Sequence, residues 1–315
     1  MTPVFRRFPL EAFLNLALLF ECLTSTSCIV TQSSTALIIG ALLFLVSAGL
    51  TLIFGVLGIV NFAHGALYML GAYIAVTTYA GSGSFILAVG AAGLGVALFS
   101  VVFERFFMRR VYDADVLMQL LVCYAFILIL DDVVKLVWGA EFRSMGMPAA
   151  FQAPPLFVAG GVIPIYYLAL IGIAAAIALV LWLVLNKTRI GKIVRAAAQN
   201  KTMTSALGLN TSLIYAGVFA CGGLLAGVAG ALAAPVRSTS PGMGFSILIE
   251  AFIVTVIGGM GSVAGALVGA LLIGLVRSFG SVGFSAFVEG VMFLAMIVIL
   301  ILKPGGLVGK KERRA

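Results

Sequence analysis

The chain has 315 residues, of which 63% are hydrophobic and only 10% charged, and its mean hydropathy is +1.22. A soluble domain carries about 25% charged residues, so this composition excludes a soluble enzyme and describes a polytopic membrane protein. The formal net charge of +8 does not indicate nucleic acid, because the cations lie between and after hydrophobic blocks.

Residues 1–33 read as an N-terminal extension or a weak first span. Arg6 and Arg7 precede Leu10–Val30, an apolar run interrupted by Glu11 and Glu21. Each acid costs about 2.5–3.5 kcal/mol at mid-membrane, so the segment is expected to be dispensable for assembly. Cys22, Cys28, Cys123 and Cys221 fall in or beside apolar segments without metal-ligand spacing, and buried free thiols are expected.

Leu37–Leu57 has the ~20 residues a bilayer requires. It runs into Gly58–Gly65, where glycine, Asn61 and His64 interrupt the apolar pattern before Ala66–Ala80. Asn61 suits an N-cap for a helix beginning at Phe62. The pattern predicts a helix break at membrane depth, covered by protein or lining a cavity. His64, the single histidine, is either a packed neutral residue bonded to a neighbouring backbone or a pathway residue.

Phe85–Phe103 is the next span and ends at Glu104, Arg105, Arg109 and Arg110. Val116–Trp138 follows, with Asp131 and Asp132 placed one turn before Lys135, so that the lysine reaches either carboxylate. Gly139–Gly161 is an outer loop. Val162–Leu185 returns to Asn186–Asn210, a run with five cations and no acid up to Lys201. Within it Gly191 reads as a turn, Lys192–Leu207 as a short helix and Gly208 as its stop. A short basic helix between two spans faces the cytoplasm; it is either a solvated loop or a docking element.

Leu213–Ala234 is a glycine-rich span suited to close helix contact. Ser246–Ile257 and Ser262–Val276 flank Gly258-Gly259-Met260-Gly261 and read as a second broken hairpin, with Glu250 in its first arm near the outer surface. Phe284–Leu302 is the last span, and residues 310–315 form a basic cytoplasmic tail. Cytoplasmic segments collect 15 of the 19 Lys and Arg residues; the others are Lys135, Arg143, Arg237 and Arg277. That bias sets orientation. A shift of 200 residues aligns Ile53, Gly58, Gly65, Ala66 and Leu67 with Ile253, Gly258, Gly265, Ala266 and Leu267, as two pseudo-repeated halves would. The expected fold is all-α, a polytopic transmembrane helical bundle of about 8–10 hydrophobic segments with two broken-helix hairpins.

Gly49–Tyr73 (GLTLIFGVLGIVNFAHGALYMLGAY), Arg195–Asn210, Gly258–Gly274 and Lys303–Gly309 (KPGGLVG) together resemble the branched-chain amino-acid ABC importer permeases over about Ser34–Gly309. The resemblance implies a permease domain over 34–309 in a bacterial inner membrane, with 186–210 as the cytoplasmic coupling loop. It implies heterodimeric pairing with a second related permease, two cytoplasmic ATP-binding subunits and a periplasmic solute-binding protein. No cofactor is implied for this chain, since ATP is bound by the partner subunits; no phosphate loop or nucleophile–base constellation is visible. Arg195, Ala196, Ala197, Ala198, Asn200 and Gly208 are the expected coupling residues. Replacing Ala197 or Ala198 with Trp is expected to uncouple ATP hydrolysis without unfolding the membrane domain. Asn61, His64, Gly65, Tyr68, Gly258, Gly259 and Gly261 are the expected pathway residues, with Asn61–Tyr68 and Gly258–Gly265 facing each other. The competing reading is an ion-coupled secondary transporter using Asp131, Asp132, Glu250 and Glu289.

Overall fold

A computed structural model describes residues 11–309; Arg6, Arg7 and the tail 310–315 lie outside the described residues. The first described helix, α1 (Glu11–Thr24), rises only about 21 Å, short of the ~30 Å hydrocarbon core. It braces the outer end of a later helix, where Leu19 covers Gly283. Ser25, in extended backbone, separates α1 from α2 (Thr26–Leu57). That break brings the Cα atoms of Cys22 and Cys28 to 5.2 Å, and the two are joined in a disulfide. The expectation of four free thiols is thus corrected: Cys123 and Cys221 alone are free. Disulfides persist on an oxidising side, which places the start of α2 outside the cell.

Helix α2 begins eleven residues before the expected Leu37. The polar run stays helical because its hydroxyls return to carbonyls of the preceding turn: Thr31 to Ser27 and Thr35 to Thr31, each at 2.9 Å. The chain continues through α3 (His64–Ser82), α4 (Phe85–Phe103), a π-turn (Glu104–Met108), α5 (Arg109–Val111) and α6 (Val116–Trp138). The outer loop that follows carries a small antiparallel hairpin, β1 (Leu156–Val158) and β2 (Gly161–Ile163), which the sequence pattern did not predict. Its turn places Ala159 and Gly160 at positive φ, as a tight two-residue hairpin turn demands. Then come α7 (Ile165–Lys187), the short α8 (Arg189–Gln199) and α9 (Lys201–Ala206), α10 (Thr211–Ala233), α11 (Met243–Gly258), α12 (Val263–Gly283) and α13 (Val288–Leu302).

Five of these elements are long and apolar enough to cross a membrane: α2, α4 with its continuation to Val111, α7, α10 and α12. Helices α3, α6, α11 and α13 complete an all-α polytopic bundle. Helix α2 is its axis, with most of its residues between Ser34 and Val56 buried. Small residues allow close approach: a side chain at Gly40 would meet the Ala270 carbonyl, and one at Gly274 would meet the Ala36 carbonyl. Helices α2 and α11 meet through hydroxyl groups. Ser47 Oγ donates to the Ala251 carbonyl at 3.3 Å, and Thr51 Oγ1 to Thr255 Oγ1 at 3.2 Å.

The segment after α13 has a structural task. The backbone N–H groups of Leu307 and Val308 donate to the carbonyls of Ile257 and Gly258, at 2.8 and 3.1 Å. Those are terminal carbonyls of α11, which lack partners within their own helix. The KPGGLVG segment therefore caps α11, and Gly259, at φ +102, lets the two backbones touch.

Candidate functional site

The first break lies at membrane depth, as expected. After Leu57 the chain climbs back along α2, and His64 packs against Gly49 and Val46. That is at least two helical turns, about 12 Å, above the cytoplasmic end of α2. The helix begins at His64 rather than Phe62. Asn61 still organises the start: its Oδ1 accepts from the Ala63 N–H at 3.1 Å and lies 3.7 Å from Cys123 Sγ. Asn61 and His64 are fully buried. His64 Nε2 donates to the Val46 carbonyl at 3.0 Å, while His64 Nδ1 and Asn61 Nδ2 have no partner among the described residues.

The two breaks do not face each other, which corrects the expected arrangement. Gly65 abuts Gly244 and Leu248 at the start of α11, and Phe62 stacks on Phe252 with ring centroids 6.2 Å apart. Gly258 packs against Gly265 of its own hairpin, Gly259 against Gly305 and Gly309, and Gly261 against Gly55. The reason is the packing of α11 on α2: once Thr51 meets Thr255, the second turn lies beside the cytoplasmic end of α2. Tyr68 is buried with its backbone against Gly230 of α10.

Asn61, His64 and Tyr68 are all buried within the subunit. His64→Ala is expected to lose the Val46 hydrogen bond and leave a void, costing about 1–3 kcal/mol. Thermal unfolding and solute uptake should fall together. A complex that assembles and hydrolyses ATP normally yet transports slowly would instead put His64 in the pathway.

Three of the four carboxylates that an ion-coupled transporter would use are already paired. Asp131 and Asp132 hold Lys135 at 2.7 and 3.2 Å. Asp131 also accepts from the Gly242 N–H at the start of α11. Glu250 pairs with Arg277, joining α11 to α12. Glu250 Oε2 has no further partner among the described residues. Removing one member of such a buried pair strands the other charge.

On the cytoplasmic side the expected single helix over Lys192–Leu207 is two. Asn200 adopts extended backbone (φ −156, ψ 100), ends α8 and caps α9, its Oδ1 accepting from the Met203 N–H at 2.9 Å. Gly191 is not a turn but lies inside α8, where a side chain would strike the Leu185 carbonyl. That close approach, with Arg195 Nη1 donating to the same carbonyl, clamps α8 onto the end of α7. Gly208 ends α9 at φ +82, as expected. Lys201 lies 3.7 Å from Asp113, tying this segment to the other cytoplasmic loop. There, burial and then the 2.8 Å hydrogen bond to Glu104 push the Tyr112 hydroxyl far above the usual tyrosine range, so it stays a neutral donor.

Burial sorts the expected coupling residues. Ala197 is only 2% exposed and belongs to the same apolar cluster as Val56, Val194 and Tyr215. Ala196 is half-buried, whereas Arg195, Ala198 and Asn200 are exposed. The large side chains left bare here are Ile190, Met203 and Leu207, at 64%, 61% and 73% exposure. Sequence reading passed over them because the alanine run and the cations dominated the pattern. The available signal was Met203 and Leu207 themselves, apolar residues at i,i+4 in an otherwise polar stretch.

The family model described as branched-chain amino acid transport system / permease component matches residues 33–302. The high-affinity branched-chain amino acid transport system permease protein BraD of Pseudomonas aeruginosa is 31% identical over 294 residues, covering 89% of this chain and 96% of that protein. LivH of Escherichia coli K12, a permease of the same description, is 29% identical over 298 residues with the same coverage. The ribose import permease protein RbsC of Haemophilus influenzae is 28% identical over 163 residues, 49% of each chain. Among solved structures, PsaBC from Streptococcus pneumoniae in complex with Fab is similar in fold, with a TM-score of 0.50 at 11% identity, covering 95% of this chain and 97% of that one.

Proposed function

The chain belongs to the branched-chain amino acid transport system permease family, and from that premise we propose that it carries leucine-like amino acids inward as one of two permease subunits. The family is the permease component of ABC importers, so the chain is a membrane-spanning subunit and energy enters through partners. The partners are a second related permease, two cytoplasmic ATP-binding subunits and a periplasmic solute-binding protein, in a bacterial inner membrane. The carrying observation is the α8–α9 segment: Ile190, Met203 and Leu207 are bare on the cytoplasmic side, yet the segment is clamped to α7 through Gly191 and Arg195. A solvated loop needs neither feature. A docking element needs an apolar face for its partner and a rigid attachment to the helices it moves.

Selectivity resides mainly in the solute-binding protein, and the permease needs only weak contact with its cargo. The tagged chain, purified from its native membrane, should bring two ATP-binding subunits and a second permease. In proteoliposomes with the binding protein outside and ATP inside, radiolabelled leucine should enter, and isoleucine and valine should compete. Uptake without ATP, or uptake of ribose in place of leucine, would overturn the reading.

A further inference from the structure

Between α2, α7 and α12 runs an open cleft of about 760 Å³. Along α2 it extends from Leu37 to Val56, a rise of about 28 Å, close to the ~30 Å thickness of the hydrocarbon core. Its walls are apolar and its concavity comes from small residues such as Ala41, Ala174 and Ala178. Polar groups collect at one end. Asn186 and Arg195 line the cytoplasmic mouth, and Lys187 sits 5.8 Å over the ring of Trp182 beside them. Thr51 also lines the cleft, but its hydroxyl already donates to Thr255.

We propose that this cleft holds an anionic phospholipid of the cytoplasmic leaflet, with an acyl chain along α2 and its phosphate at Arg195. The distribution of polarity selects this occupant. A zwitterionic solute crossing the membrane would need polar partners along its route, and this cleft offers them only at its mouth. An amphiphile has that pattern: one charged end and a long apolar body. Basic pockets between transmembrane helices on the cytoplasmic side suit anionic head groups. Arg195 spends one donor on the Leu185 carbonyl and retains others for a phosphate. Because Arg195 belongs to α8, the lipid would brace the coupling helix from the membrane side, opposite the face offered to the ATP-binding subunits.

The two tryptophans make this testable. In full-length Trp138→Phe, Trp182 reports alone on the cleft. The protein is placed in phosphatidylcholine nanodiscs, and chain-brominated phosphatidylglycerol or chain-brominated phosphatidylcholine is titrated in. Bulk lipid quenches equally through either species, so head-group preference is the readout. Half-quenching is expected at about fivefold lower mole fraction for the anionic lipid, the preference one basic residue near a membrane surface supplies. Arg195→Gln should remove that preference. Equal quenching by both lipids overturns the head-group site. Absence of quenching by either means that protein covers the cleft, as a second permease would, and also overturns it. If Trp138→Phe fails to fold, native mass spectrometry of the unsubstituted chain decides: retained phosphatidylglycerol supports the site, and none rejects it.

Discussion

Gly65→Ala is expected to abolish assembly of the membrane domain, the largest effect of any single methyl group considered. A Cβ at this position would lie far inside van der Waals contact with the Gly244 carbonyl oxygen and 2.8 Å from Leu248 Cβ. Neither obstacle can move cheaply. The first is backbone at the start of α11, and the second is the root of a side chain that is 2% exposed. Helix α3 cannot withdraw either, since a side chain at Gly71 would strike the Gly227 backbone and α10 closes its other face. Overpacking of this kind costs about 1–3 kcal/mol where neighbours can relax, and more where they cannot. Gly172→Ala is the matched control, because nothing lies within 4 Å of a side chain there. In mid-helix that change should instead gain up to about 1 kcal/mol from helix propensity. Size-exclusion profiles of detergent extracts at equal expression separate the two. A monodisperse Gly65→Ala protein with an unchanged melting temperature would mean that α3 and α11 are not packed as described.

The same contact shows how far the sequence was legible. That Gly58–Gly65 would break the helix within the membrane followed from Asn61, His64 and the glycines, residues that hydrocarbon does not tolerate unpaired. Where Gly65 would pack did not follow, because the partner Gly244 is remote in sequence and lies outside the expected spans Leu213–Ala234 and Ser246–Ile257. The expected span began only at Leu37, after the hydroxyl-rich stretch, since propensity counts hydroxyl residues against a helix, but hydrogen bonds to the preceding turn remove that penalty locally. At Asn200 the failure ran the other way. Flanking residues with good helix propensity hid a residue whose side chain does better as a cap than inside a helix. The disulfide was unreadable for a related reason: Cys22 and Cys28 are six residues apart, and only the break at Ser25 brings them together.

The proposed docking surface yields the second large effect. Met203→Glu combined with Leu207→Glu is expected to lower ATP-driven uptake at least about tenfold, while the permease still folds and reaches the membrane. Both side chains are mostly exposed on the cytoplasmic segment, so neither supports the subunit itself. If they seat in an apolar recess of an ATP-binding subunit, each is a central anchor of that contact. Truncating such an anchor typically costs 2 kcal/mol or more, and burying a carboxylate there costs further. Ala197→Trp, which the sequence alone suggested as the uncoupling change, should behave differently. Ala197 faces the cluster of Val56, Val194 and Tyr215, so an indole there displaces the core and should fail at assembly. The pair of variants therefore distinguishes the two faces of one segment. Co-purification of the ATP-binding subunits should be weakened by the Met203/Leu207 change in a well-folded permease, whereas Ala197→Trp should leave little folded permease to purify. Normal uptake by the double Glu variant would remove α9 from the docking surface and leave Ile190 and α8 as the contact.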